Sequence, residues 1–149
     1  MASSLLTLLG TCLLMVAEAQ AAVQDFGVMI KYLTGRSPFS YLFYGCYCGI
    51  GGSGQPVDDI DWCCHAHDCC YGVVEKMGGS PLTQKYKYTI IYRTITCDDE
   101  DLDGLARKTC ECDREAAICF QIHNNCFSRK NSRNYLRRHC NGAQPPCKC

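Results

Sequence analysis

The side chains best able to do chemistry lie together in Asp61-Trp62-Cys63-Cys64-His65-Ala66-His67-Asp68-Cys69-Cys70-Tyr71. An unperturbed imidazole titrates near pH ~6.5, so His67 can take up and release a proton at neutral pH. Asp68 beside it offers carboxylate oxygens suited to a hard cation. A second run, Cys110-Glu111-Cys112-Asp113-Arg114-Glu115-Ala116-Ala117-Ile118-Cys119, adds another carboxylate, Asp113. Cys63 and Cys70 are seven residues apart, and so are Cys112 and Cys119. On a helix that spacing is two turns, which sets each pair on one face. If two antiparallel helices carry these pairs, Cys63 can meet Cys119 while Cys70 meets Cys112. Such rungs would bracket His67 and bring Asp113 within about a turn of it. A histidine held by one carboxylate, with a second carboxylate beside it, is the beginning of a catalytic site.

The elements that must position these groups can be read from the punctuation around them. Pro56 precedes the first run, Asp58 and Asp59 can cap it, and Gly78-Gly79 close it. Trp62, on a disulfide-lined helix, reads as packing, and His65, two positions from His67, points away from it and reads as surface. The second helix is expected over 105–122. Val23, Phe26, Ile30 and Leu33 recur at helical spacing, which predicts a short amphipathic helix ending at Gly35. Residues 86–96 are rich in β-branched and aromatic side chains and read as a small hairpin, although no clear turn dipeptide divides them.

Between the first two helices stands Tyr44-Gly45-Cys46-Tyr47-Cys48-Gly49-Ile50-Gly51-Gly52-Ser53-Gly54. Five glycines in eleven residues exclude a stable helix or central strand. No Gly-Lys-Ser/Thr follows, so a nucleotide-phosphate loop fits poorly. Glycines also let backbone carbonyls converge on a cation, and calcium takes about six to eight oxygen ligands, many of them carbonyls. A bridge from Cys48 to Cys64 would bring such carbonyls near Asp68.

A chain of 149 residues is one domain. Fifteen cysteines, about a tenth of the residues, indicate a disulfide scaffold and an oxidising compartment. Residues 5–16 form an apolar run too short to span a bilayer, and Ala19-Gln20-Ala21 fits a cleavage site. The expected division is a signal peptide over 1–21 and a mature domain over 22–149, secreted to the extracellular space. No Lys or Arg precedes the run, and an uncleaved anchor is the alternative reading. Cleavage removes Cys12 and Glu18, leaving fourteen cysteines and 15 basic against 14 acidic residues. That even count allows up to seven bridges, and the near-neutral balance gives no pull toward nucleic acid. The acidic run 98–103 and the basic segment 129–148 read as solvated faces. Zinc, the natural rival for a Cys/His cluster, is disfavoured because there is no Cys-x-x-Cys and the even set favours bridges.

Taken together, the mature chain resembles the secreted, calcium-dependent phospholipase A2 family, most closely its group II branch. Tyr-Gly-Cys-Tyr-Cys-Gly-Ile-Gly-Gly, Cys-Cys-His-Ala-His-Asp-Cys-Cys-Tyr and Cys-Glu-Cys-Asp match its three signatures in order and spacing. The resemblance implies an α-rich, disulfide-stapled small domain with two long antiparallel disulfide-linked helices, an N-terminal helix, a glycine-rich calcium loop and a small β-hairpin. It implies that His67 is the general base, oriented by Asp113, with Tyr71 and Tyr86 hydrogen-bonded to Asp113. Ca2+ would be held by the Asp68 carboxylate and the carbonyls of Tyr47, Gly49 and Gly51, with the Gly49 amide as oxyanion donor. Water would then attack the sn-2 ester of a glycerophospholipid, releasing a fatty acid and a lysophospholipid. A non-catalytic binding protein or toxin subunit of the same fold is the alternative, disfavoured because His67, Asp68 and the loop glycines are all present.

The resemblance also implies the pairs Cys46–Cys140, Cys48–Cys64, Cys63–Cys119, Cys69–Cys147, Cys70–Cys112 and Cys97–Cys110, which leaves Cys126 with Cys149. Two departures stand out. Gly79 occupies a position where the family usually has a cysteine, and the partner cysteine before the second helix is missing too. Asp25 stands where the family usually has an amide. The expected partner is a phospholipid membrane surface, docked through Val23 and Ile50, with Phe26 and Ile30 lining the channel. A monomer is expected, with a partner chain left open.

Overall fold

The computed structural model describes residues 23–132, 135 and 137–147; the expected signal peptide and Cys149 lie outside them. The first helix, α1, covers residues 23–34 and stops at Gly35, whose N–H closes the last turn on the Lys31 carbonyl at 3.0 Å. Helix α2 is Asp59–Lys76 and α3 is Leu105–Ile122, the latter with the bounds expected from sequence. Of the two candidate caps for α2, Asp58 serves: its carboxylate accepts from the Asp61 N–H at 3.0 Å, satisfying a first-turn donor that has no helical partner. Asp59 instead places its charge in the first turn, where the helix dipole favours it.

Strands β1 (Tyr88–Ile91) and β2 (Thr94–Cys97) pair antiparallel, with Ile90 opposite Ile95 and Ile91 opposite Thr94. The turn between them is Tyr92-Arg93, with φ of 46° and 66°. Two left-handed residues are what a two-residue hairpin needs to match strand twist, but neither is the Asn or Gly that would announce it. The Arg93 guanidinium donates to the Leu33 carbonyl at 3.1 Å, tying the hairpin tip to the end of α1.

Helices α2 and α3 run antiparallel, joined by Cys63–Cys119 and Cys70–Cys112. Cys48–Cys64 draws the glycine loop onto α2, and Cys97–Cys110 fastens β2 to α3. Cys46–Cys140 and Cys69–Cys147 fold the carboxyl-terminal segment back over the loop and α2. All six pairs implied by the resemblance are formed. Cys126 is exposed and unbridged among the described residues. The core is built from Met29, Ile30 and Leu33 of α1, Tyr41 and Tyr44, Ile60 of α2, and Ala117 and Phe120 of α3. At Gly79 an added Cβ would lie 2.8 Å from side-chain atoms of both Val74 and Leu105, so the two helix ends approach closely without a bridge at this point.

Two expectations on α2 are corrected. His65 is buried, at 5% exposure, not on the surface. It does face away from His67, but the returning tail covers that face: its Nε2 lies 3.1 Å from the Pro145 carbonyl, and its ring meets Tyr47 edge-on at 4.8 Å. Trp62 is 42% exposed, meeting His65 at 5.4 Å at the margin of the tail's coverage.

Candidate active site

His67 sits midway along α2, and its Nε2 lies 2.7 Å from Oδ1 of Asp113 on α3. Asp113 is almost fully buried, at 1% exposure. A buried carboxylate is tolerable only when its oxygens are hydrogen-bonded, and Asp113 meets that need. Tyr71 donates to its Oδ1 at 2.6 Å and Tyr86 to its Oδ2 at 2.6 Å. Burial, and next the Asp113 charge, push both phenols far above the usual tyrosine range. They therefore stay protonated donors wherever the protein is folded. With Asp113 accepting, His67 carries its proton on Nε2 and leaves Nδ1 with a lone pair. Phe26 of α1 stacks on the imidazole at 4.6 Å and Tyr71 lies against it at 4.1 Å, so the ring is held from α1 and α2 as well as by its hydrogen bond.

The glycine loop is organised by a residue that sequence reading passed over. Asp61, fully buried in the first turn of α2, accepts from the backbone N–H groups of Cys46 and Tyr47 at 2.8 Å and of Val57 at 3.0 Å. Burial pushes its carboxyl above the usual range, and the three amide bonds oppose that shift. The close approach requires glycine at position 45, where a Cβ would lie 2.4 Å from the Asp61 Cγ. The available signal was the Asp58-x-x-Asp61 pattern at a helix start. Asp61→Ala is expected to strand three buried donors, at about 1–3 kcal/mol each. Thermal unfolding should register the loss, and hydrogen exchange should show the loop amides opening first. A change below about 1 kcal/mol would mean water replaces the carboxylate.

Farther along the loop, the Tyr47 phenol donates to the Gly54 carbonyl at 2.6 Å, pinning one end of the turn. Gly49 and Gly51 adopt φ of 111° and 69° and are exposed. The Asp68 charge adds to the upward shifts of both Tyr47 and Tyr71, behind burial and nearer carboxylates. Asp68 itself directly follows His67 on α2. The sulfurs nearby, Cys48 and Cys64, are bonded to each other. The remaining donors are oxygens, a set that fits calcium rather than a thiolate-seeking metal.

The residues named for docking separate into two kinds. Val23 and Ile50 are exposed, at 58% and 81%, so Ile50 is not buried beneath the loop. Phe26 covers the imidazole as described, and Ile30 is a core residue of α1. Asp25, next to Phe26, accepts from the Tyr88 phenol at 3.3 Å, and burial raises its carboxyl.

A buried carboxylate fixing a helical histidine, beside an oxygen-rich glycine loop and inside two cross-linked helices, describes a hydrolase with a histidine base. The phospholipase A2 family model matches residues 23–133. Human group IIE secretory phospholipase A2 is 48% identical over 134 residues, covering 90% of this chain and 92% of that protein. A phospholipase A2 of Pithecopus azureus is 46% identical over 135 residues, with coverage of 90% and 92%. Group IID secretory phospholipase A2 of Mus musculus is 40% identical over 141 residues, with coverage of 94% and 96%. The chain belongs to the phospholipase A2 family, with the secretory group II enzymes among its relatives.

Proposed function

We propose that the protein is a secreted, calcium-dependent phospholipase A2 that cleaves the sn-2 ester of glycerophospholipids at membrane surfaces, giving a fatty acid and a lysophospholipid. The observation that carries this reading is the 2.7 Å His67–Asp113 contact beside the oxygen-donor loop. With Nε2–H directed at Asp113, Nδ1 of His67 can take a proton from a water molecule as it attacks the ester carbonyl. Asp113 stabilises the imidazolium that results, and the two tyrosines hold that carboxylate in place. His67 then returns the proton to the departing glycerol oxygen. The Tyr47, Gly49 and Gly51 carbonyls with the Asp68 carboxylate are the residues that would hold calcium. A cation bound there would supply Lewis-acid polarisation of the ester. The Gly49 N–H is the chain's own donor for the developing oxyanion.

Release of fatty acid from vesicles carrying a labelled sn-2 chain, with and without calcium, tests the proposal. Release that requires calcium supports it. Vesicle binding without release would make the protein a non-catalytic binding module. Secretion is supported by the relatives' names, and the mature protein is expected to begin near Ala22.

No helix among the described residues is long and apolar enough to cross a membrane. Val23 and Ile50 are the docking candidates, and a monomer suffices. Burying one aliphatic side chain contributes about 1.5–3 kcal/mol, against about 1 kcal/mol for a basic residue near anionic lipid. With nearly balanced charge, little selectivity for anionic vesicles is expected unless the basic segment 129–148 faces the membrane. Ile50→Lys should weaken vesicle binding about tenfold or more and leave hydrolysis of a dispersed short-chain substrate near normal. An equal fall in both would show that Ile50 supports the loop instead of docking it.

A further inference from the structure

A second cluster of ligating groups lies where α2 starts and α3 stops. Asp59 is the first residue of α2, His123 follows the last residue of α3, and Cys126 ends the short 3-10 turn Asn124–Cys126. His123 Nδ1 lies 3.6 Å from Asp59 Oδ2. One ligand atom from each of the three residues falls within 4.8 Å of the other two. We propose that Asp59, His123 and Cys126 form a binding site for a borderline divalent cation of the zinc type, separate from the calcium loop.

The chemistry of the set decides the class of ion. Each of the other described cysteines is in a disulfide, so among the described residues Cys126 alone can offer a thiolate. A sulfur, an imidazole nitrogen and a carboxylate oxygen together suit zinc, whereas calcium and magnesium take oxygen. Zinc bonds of about 2.0–2.3 Å in a tetrahedron put neighbouring ligand atoms about 3.3–3.6 Å apart. The histidine–aspartate edge already has that length, and the thiol need close by only about 1 Å. Asp59 and Cys126 are exposed and His123 is half-buried, which leaves the fourth position to water. The site lies beside the Cys63–Cys119 rung, since His123 also falls within 4.8 Å of those sulfurs. An occupied site would therefore join the same two helices at their ends. As a bare surface pair, Asp59 and His123 would hold each other only weakly.

The test uses the mature protein with its calcium loop saturated by excess Ca2+, titrated with Co2+ as an optical stand-in for zinc. One equivalent should bind with a thiolate-to-cobalt charge-transfer band, and Zn2+ should displace it. Changes around a ligand cost about 10–100-fold in metal affinity, so removing a ligand should cost at least tenfold. Cys126→Ser should erase the band, and His123→Gln should weaken binding about tenfold or more, with circular dichroism unchanged in both. Absence of the band, or a band that survives Cys126→Ser, overturns the proposal. So does peptide mapping without reduction that joins Cys126 to Cys149.

Discussion

Replacing His67 with glutamine is expected to lower kcat by about 10²–10⁴-fold or more and to leave calcium affinity unchanged. Glutamine is close in size, and its amide can still donate toward Asp113. The Tyr71–Asp113–Tyr86 arrangement should therefore survive. What disappears is the lone pair on Nδ1, because an amide nitrogen does not accept a proton. The loss should appear in kcat at saturating calcium, on vesicles and on dispersed substrate alike. A variant that kept a tenth or more of its turnover would remove His67 from the role of base.

Asp68→Lys is expected to fail differently. On the proposed reading the loop would offer calcium only neutral carbonyls, and Asp68 would supply the charge that offsets desolvation of a divalent ion. An ammonium in its place adds like-charge repulsion. Calorimetry should detect no calcium binding, and activity should stay absent at any calcium concentration. The two variants separate the base from the cation site only if binding survives in the first and is lost in the second. Equal loss in both would refute that division of roles.

Much that depended on residues close in sequence was legible before the structure. Helix α3 has the bounds its pattern predicts, and the seven-residue cysteine spacings, if carried on antiparallel helices, bring Asp113 within about a turn of His67, where the structure places it in contact. Most of what escaped depended on chain segments distant in sequence. His65 reads as surface because helical periodicity ranks faces only against the helix's own neighbours. The segment that covers it arrives eighty residues later, at Pro145. Asp61 reads as one more first-turn acid, since its three amide partners belong to a loop whose path is irregular. The hairpin turn hides because Tyr92 and Arg93 adopt a conformation that their types do not advertise.

The paired rungs between α2 and α3 also determine how His67, the proposed base, answers to its surroundings. His67 lies inside the ring closed by Cys63–Cys119 and Cys70–Cys112, and Asp113 directly follows Cys112 on the opposite side. The imidazole and carboxylate thus face each other at an effective concentration fixed by covalent bonds, not by the folding equilibrium. Fraying of the hairpin, the tail or α1 changes access to the base without taking its partner away. A reducing milieu has the opposite effect: once the rungs open, only ordinary helix packing holds the proton relay together. Reduction of the two rungs is therefore expected to loosen the His67–Asp113 pair even where the rest of the fold stays in place.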